Sequence, residues 1–246
     1  MSRHILGRVL PFIIILLTAV CVGSAAEPEL VDIRTVDPTI LVELRYAGSH
    51  NCAGKALYPQ NMPALARPEV ARRLAEAQAT LRPLGYRLKI WDAYRPKSAH
   101  QQLWQFSPFN DYVADPSTGG SLHSWGVAID ATLVDSKGRE LKMPTDFDDF
   151  SDAAMLRYTG TNQTVRRNLI ALQSAMARAG FYGMRTEWWH FVSKDWKDYR
   201  SVPEAFLGAT SSLPPPLWSE QRPPLPAPPA ARPAGPGSSQ SIATRR

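Results

Sequence analysis

A histidine and an aspartate share the stretch Ser121-Leu122-His123-Ser124-Trp125-Gly126-Val127-Ala128-Ile129-Asp130, and a second histidine closes Glu187-Trp188-Trp189-His190. Neutral imidazole and carboxylate both suit zinc, which takes nitrogen and oxygen donors at about 2.0–2.2 Å. Three such ligands leave one position for water, the composition of a catalytic site. Hydrolysis at such a metal polarises the scissile carbonyl and acidifies water. It also needs a base for the water proton and a positive group for the developing oxyanion. His123, Asp130 and His190 are the candidate ligands, and Glu187 is the candidate base. Arg95, in Trp91-Asp92-Ala93-Tyr94-Arg95-Pro96, offers a permanent positive charge for the oxyanion.

Each residue alone has a plainer reading. A single histidine or aspartate at a strand edge is usually structural or solvated, and Arg95 could equally pair with a structural carboxylate. Trp188 and Trp189 could pack in the core or wall a pocket. The joint occurrence, with a glutamate three residues before the last histidine, carries the metal-site reading. It sets one geometric demand. On a regular strand Glu187 and His190 would point to opposite faces, so the site requires a bulge, a bend or a strand end there.

The elements that must position these residues follow from periodicity. Val31–Arg34 and Ile40–Arg45 read as strands, and residues 47–67 as a long loop. Pro68 opens a helix carrying Val70, Leu74, Ala77 and Leu81, stopped at Pro83 and Gly85. Tyr86–Trp91 alternates as a strand, and a second helix runs from Pro96 to about Trp104. Polar, turn-rich residues deliver the chain to His123; Gly126 turns it into a strand from Val127 to Val134, closed at Asp135–Gly138. Residues 143–160 are irregular and acidic, and Thr164–Ala179 is a helix with Val165, Leu169, Leu172 and Met176 on one stripe. Thr186–Val192 is the last strand. Strands and helices without regular βαβ alternation predict an α+β fold, a small mostly antiparallel sheet with flanking helices.

The two ends differ from this middle. Arg3 and Arg8, the apolar run Val9–Val22 and the small residues Gly23–Ala26 read as a secretory signal over residues 1–26. The run falls short of the ~20 residues a membrane-spanning helix needs, so no stable membrane insertion is expected after cleavage. Cleavage leaves Cys52 as the one cysteine and therefore no internal disulfide. Residues 213–236 hold ten of the 22 prolines. The tail over 211–246 is expected to be disordered and polyproline-biased, with a possible role in contacts to other proteins. Residues 27–210, the expected catalytic domain, carry 22 basic and 21 acidic side chains, so the net charge of +6 lies mostly in the ends. No basic face demands nucleic acid.

The motifs S-x-H-x-x-G-x-A-I-D, E-W-W-H and D-x-Y-R-P, in this spacing, resemble those of the D-alanyl-D-alanine dipeptidases (VanX type) of the zinc D,D-peptidase family. The resemblance runs from about Val31 to Tyr199 and includes Arg45-Tyr46-Ala47 and Asn51. It implies one Zn2+ on His123, Asp130 and His190, Glu187 as base, and Arg95 stabilising the transition state. It further implies that Ser121 helps hold the substrate carboxylate and that Asp148 meets the free ammonium of a small D,D-dipeptide. Cys52 stands where the family usually has an aromatic, and Ser151–Ala154 lacks a histidine often found there; both departures bear on substrate fit.

The resulting expectation is an exported, most simply periplasmic, zinc dipeptidase that recovers D-alanine from wall-derived dipeptide. The alternatives are a D,D-carboxypeptidase acting on peptidoglycan stems and a non-catalytic, zinc-stabilised binding module. Asp148 speaks against the first, because a carboxylate paired to an ammonium disfavours acylated substrates. Glu187 and Arg95 together speak against the second.

Overall fold

The computed structural model describes residues 30–59, 61–106 and 112–203. The signal-type segment over 1–26 and the proline-rich tail over 211–246 lie outside the described residues, as does the 210/211 boundary.

In chain order the elements are β1 (Val31–Asp32), α1 (Ile33–Val36), β2 (Leu41–Val42), β3 (Leu65–Ala66), α2 (Pro68–Leu81), β4 (Arg87–Asp92) and α3 (Lys97–Phe106). There follow β5 (Ala128–Val134), α4 (Gln163–Arg178), β6 (Phe181–Gly183) and β7 (His190–Ser193). A five-stranded sheet has the order β2-β4-β5-β7-β6, and β1 pairs with β3 in a separate antiparallel ribbon. Within the larger sheet β2 lies parallel to β4 and the other pairings are antiparallel, the expected α+β arrangement.

All seven residues of β5, the central strand, are buried, which explains why it reads as a continuous apolar run rather than an alternation. Helices α2 and α4 pack on each other and on the sheet. Val70, Leu74, Ala77 and Leu81 of α2 are buried, as are Val165, Leu169, Leu172 and Met176 of α4, so both stripes are core. Asn162 caps α4 by accepting from the N–H groups of Thr164 and Val165.

Four local expectations are corrected. The strand read over Val31–Arg34 stops after Asp32, because the Asp32 carboxylate accepts from Arg34 N–H (2.9 Å) and caps a helical turn. The strand read over Ile40–Arg45 shrinks to Leu41–Val42, and a 3-10 turn takes over at Arg45–Ala47. The loop over 47–67 contains β3, and Phe181–Gly183 forms the edge strand β6, for which no period-2 signal exists in three residues. The strand read over Thr186–Val192 begins only at His190.

Candidate active site

The sheet's register assembles the metal-ligating groups. Asp130 on β5 lies opposite His190 on β7 and opposite Asp92 on β4. Two residues of β4 face one of β5 between Ile90 and Asp92, and this bulge, rather than plain alternation, brings Asp92 to the rung of Asp130. His123 arrives from outside the sheet on a 3-10 turn, Leu122–Trp125, capped by Ser121 Oγ accepting from His123 N–H (3.2 Å). Gly126 ends that turn at φ 73°, and a Cβ there would stand 2.5 Å from a Leu30 methyl, so the tight return into β5 needs glycine.

The three candidate ligands converge. His123 Nε2 lies 3.2 Å from His190 Nδ1 and 3.3 Å from Asp130 Oδ1, and His190 Nδ1 lies 2.9 Å from Asp130 Oδ1. Among the described residues this is the one cluster of three such side chains fit to hold a metal ion. Donors about 2.1 Å from a tetrahedral ion stand about 3.4 Å apart, close to the spacing found. His123 Nδ1 donates to the Ala93 carbonyl (2.8 Å), which leaves the Nε2 lone pair for a metal.

Charge gives a second test of fit. Asp92, fully buried, accepts from Arg95 Nε and Nη2 on one oxygen (2.9 and 2.7 Å) and from Tyr58 and Ala93 on the other. This pair neutralises itself. Asp130, Asp148 and Glu187 remain around the same cavity with no further Lys or Arg among its lining residues. Burial opposes ionisation of Asp130, but the His123 and His190 imidazoles hold its carboxyl well below the ordinary range. Burial pushes Glu187 up to about 8, against the opposing pull of His190 and helped by Asp130 and Asp148. Burial likewise pushes Asp148 up to about 6, against the Cys52 N–H bond and the charge of Arg95. A bound dication would offset this excess of acidic groups. The donor set and the charge both fit a divalent metal.

Glu187 meets the geometric demand of its spacing by preceding the strand. His190 N–H donates to the Glu187 carbonyl (3.3 Å) in a turn, and the Glu187 carboxylate comes within 3.9 Å of His190 Nδ1. Trp188 and Trp189 pin this turn. Trp188 N–H donates to the Ala154 carbonyl and its indole to Thr145, while the Trp189 carbonyl accepts from Ala131. Trp188 is core; Trp189 is core on one side and cavity wall on the other.

Arg95 meets the plainer reading of its motif and also stands where the other would need it. It is paired with a structural carboxylate, it stacks 4.8 Å above the Tyr46 ring, and it lines the cavity. Asp148 also lines the cavity, holding φ 57°, the left-handed region that Asp and Asn tolerate best after glycine. Tyr46 hydroxyl (3.0 Å) and Cys52 N–H (2.9 Å) each donate to one of its oxygens. The cavity, about 360 Å³, thus gathers Ser121, His123, Asp130, Asp148, Glu187, His190 and Arg95. Asp92 and Tyr46 belong to the sequence motifs, but the motifs alone assign them no task; the i, i+3 spacing of Asp92 and Arg95 is the available signal. His100, also on this wall, had none.

Comparison with known proteins gives an independent line. Residues 26–209 match the family Peptidase_M15, described as D-ala-D-ala dipeptidase. A D-alanyl-D-alanine dipeptidase of Escherichia coli (strain K12) is 36% identical over 178 residues, 72% of this chain and 91% of that relative. Another of that name, from Enterococcus faecalis (strain ATCC 700802 / V583), is 31% identical over 169 residues, 61% of this chain and 83% of the relative. A solved structure of a vancomycin-resistance D,D-pentapeptidase VanY mutant with Zn(II) aligns at 16% identity and a TM-score of 0.35 over 56% of this chain and 77% of that one. The chain belongs to the D-Ala-D-Ala dipeptidase family of peptidases.

Proposed function

We propose that this chain is an exported, zinc-dependent dipeptidase that hydrolyses the free dipeptide D-Ala-D-Ala to two D-alanines. The observation that carries the reading is the presence of Asp148 in the same cavity as Glu187, Arg95 and the His123–Asp130–His190 cluster. When bound by those three donors, zinc supplies a Lewis acid that polarises the peptide carbonyl and acidifies water.

The chain's own groups then divide the remaining work. Asp148 accepts from the substrate ammonium, which fixes the amino end. Ser121 Oγ already accepts from His123 N–H, so its own hydrogen is available to the substrate carboxylate. Glu187 takes a proton from the attacking water and returns it to the leaving amine nitrogen as the C–N bond breaks. The charge of a cation beside Glu187 favours its carboxylate form, counteracting the effect of burial. Arg95 donates to the oxyanion from a guanidinium already tied to Asp92 and set against the Tyr46 ring, a donor partly preorganised for the reaction. Export rests on the segment over residues 1–26. No helix among the described residues is long and apolar enough to cross a membrane. Cell fractionation that finds the protein in the cytoplasm would refute it.

The deciding assay measures D-alanine release by the zinc-loaded full chain from D-Ala-D-Ala and from N-acetyl-D-Ala-D-Ala. Release from the free dipeptide alone is the expected result. Preference for the acylated peptide would replace the reading with a wall carboxypeptidase, and no release from either with zinc bound would favour a binding module.

A further inference from the structure

We propose that His100 is a positioning residue for this reaction, a second anchor that sets the in-plane angle of the Arg95 guanidinium. The proposal rests on the task given to Arg95 above. Both Arg95 bonds to Asp92 end on a single oxygen, Oδ2, because Oδ1 is taken by Tyr58 hydroxyl and Ala93 N–H. A guanidinium held on one oxygen can pivot about it, unlike a fork matched to both oxygens of a carboxylate. Tyr46 lies against the guanidinium, its ring centroid 4.8 Å from Arg95 Cζ, and Asp130 Oδ2 stands 3.7 Å from Nη2; neither restrains Nη1.

His100 supplies that restraint. It lies on α3 five residues after Arg95, is 2% exposed, and places Nδ1 3.5 Å from Arg95 Nη1, the guanidinium nitrogen that Asp92 leaves unbound. Its Nε2 bonds to the Ala114 carbonyl (2.8 Å), which can only accept, so Nε2 carries the hydrogen. In a neutral imidazole Nδ1 is then an acceptor facing an arginine donor. Burial and the charge of Arg95 push the imidazole down to about 4, so it is neutral at working pH. The 3.5 Å separation is long for a hydrogen bond, and such bonds tighten when substrate arrives.

Two substitutions separate this task from a structural one. His100→Asn can keep an acceptor near the Nδ1 position but loses the tie to Ala114. His100→Gln can keep a donor near Nε2 and loses the acceptor. The expected result is a kcat loss of about 10- to 100-fold in Gln, with KM within about twofold, and substantial recovery in Asn. Retained kcat in Gln, or equal loss in both, overturns the proposal. If Asn melts early, a cycle of His100→Leu with Arg95→Lys decides instead. Loss of the His100 effect in the Lys background supports the proposal, and additive losses overturn it. Nitrogen-15 NMR of the zinc-loaded, histidine-labelled chain tests the contact without substrate. The neutral Nε2–H form with an Nδ1 signal that moves in Arg95→Lys supports it, and an unmoved Nδ1 signal overturns it. Inactive wild type with that NMR signature would instead overturn the dipeptidase reading.

Discussion

Replacing Asp148 by Asn separates charge from shape at the proposed ammonium site. Asn accepts the φ of 57° as readily as Asp. Its amide can also satisfy both neighbours: the oxygen accepts from Cys52 N–H, and the NH2 donates to the Tyr46 hydroxyl, which is donor or acceptor at need. What disappears is the pairing with a substrate ammonium. A hydrogen bond to a charged group contributes about 1.5–3 kcal/mol, so kcat/KM for D-Ala-D-Ala should fall about 10- to 150-fold. Stability should move the other way. Folding raises the Asp148 carboxyl from its ordinary 3.8 to about 6, so the native state holds the proton more tightly than the unfolded chain. Stability therefore declines as pH rises from about 4 to 6, and the whole penalty is present above 6. Asn removes it. Discounted for partial exposure of Asp148 to the cavity, the gain in substrate-free protein at pH 7.5 is about 1–3 kcal/mol, vanishing below pH 4. The assay pairs steady-state kinetics with thermal melts at pH 3.5 and 7.5. A variant that binds free dipeptide as well as wild type, or melts lower at pH 7.5, would refute the reasoning. In the wild type, KM should climb at acid pH as Asp148, a carboxyl that burial holds above its ordinary range, takes up its proton.

Glu187→Gln should retain one zinc per chain while kcat falls by about 10²–10⁴, measured by metal analysis beside turnover; undiminished kcat would remove Glu187 from the mechanism. Chelation should abolish activity and remove the cation that offsets the buried acidic groups Asp130, Asp148 and Glu187. At metal concentrations about 1,000 times Kd the lost stabilisation is about 4 kcal/mol, a drop of roughly 8–16 °C in melting temperature. Trp188→Ala should cost about 3–5 kcal/mol in urea unfolding, because the indole is fully buried against Trp91 and Trp189 and donates to Thr145. A midpoint within error of wild type would show that the cluster does not anchor the Glu187 turn.

The gathering of the candidate site residues was legible in the sequence more fully than the architecture. Gly126 between His123 and Asp130 announced a turn, and the odd step from Glu187 to His190 announced a bulge, a bend or a strand end, of which the structure has the last. The long helices were legible because apolar stripes of four residues leave little ambiguity. Short strands were not. Two-residue β1 and β2 are set by pairing with partners distant in sequence, and the Asp32 cap overrides a β-branched run that favours extension. The Ile90–Asp92 bulge left no mark either, since a bulge is a property of two strands together. His100 escaped for a related reason: its partners at Arg95 and Ala114 become neighbours only after α3 forms.

The rung shared by Asp92, Asp130 and His190 determines where this chain tolerates changes in length. Deleting one residue within β5 would slide the strand by one place and turn Asp130 to the far side of the sheet, dismantling the centre without touching any of its side chains. The hairpin at Asp135–Gly138 carries no such obligation, being tied to itself through Asp135 and contributing nothing to the cavity lining. Natural variation in length and engineered insertions alike should accumulate there, while β4, β5 and β7 keep their residue counts fixed.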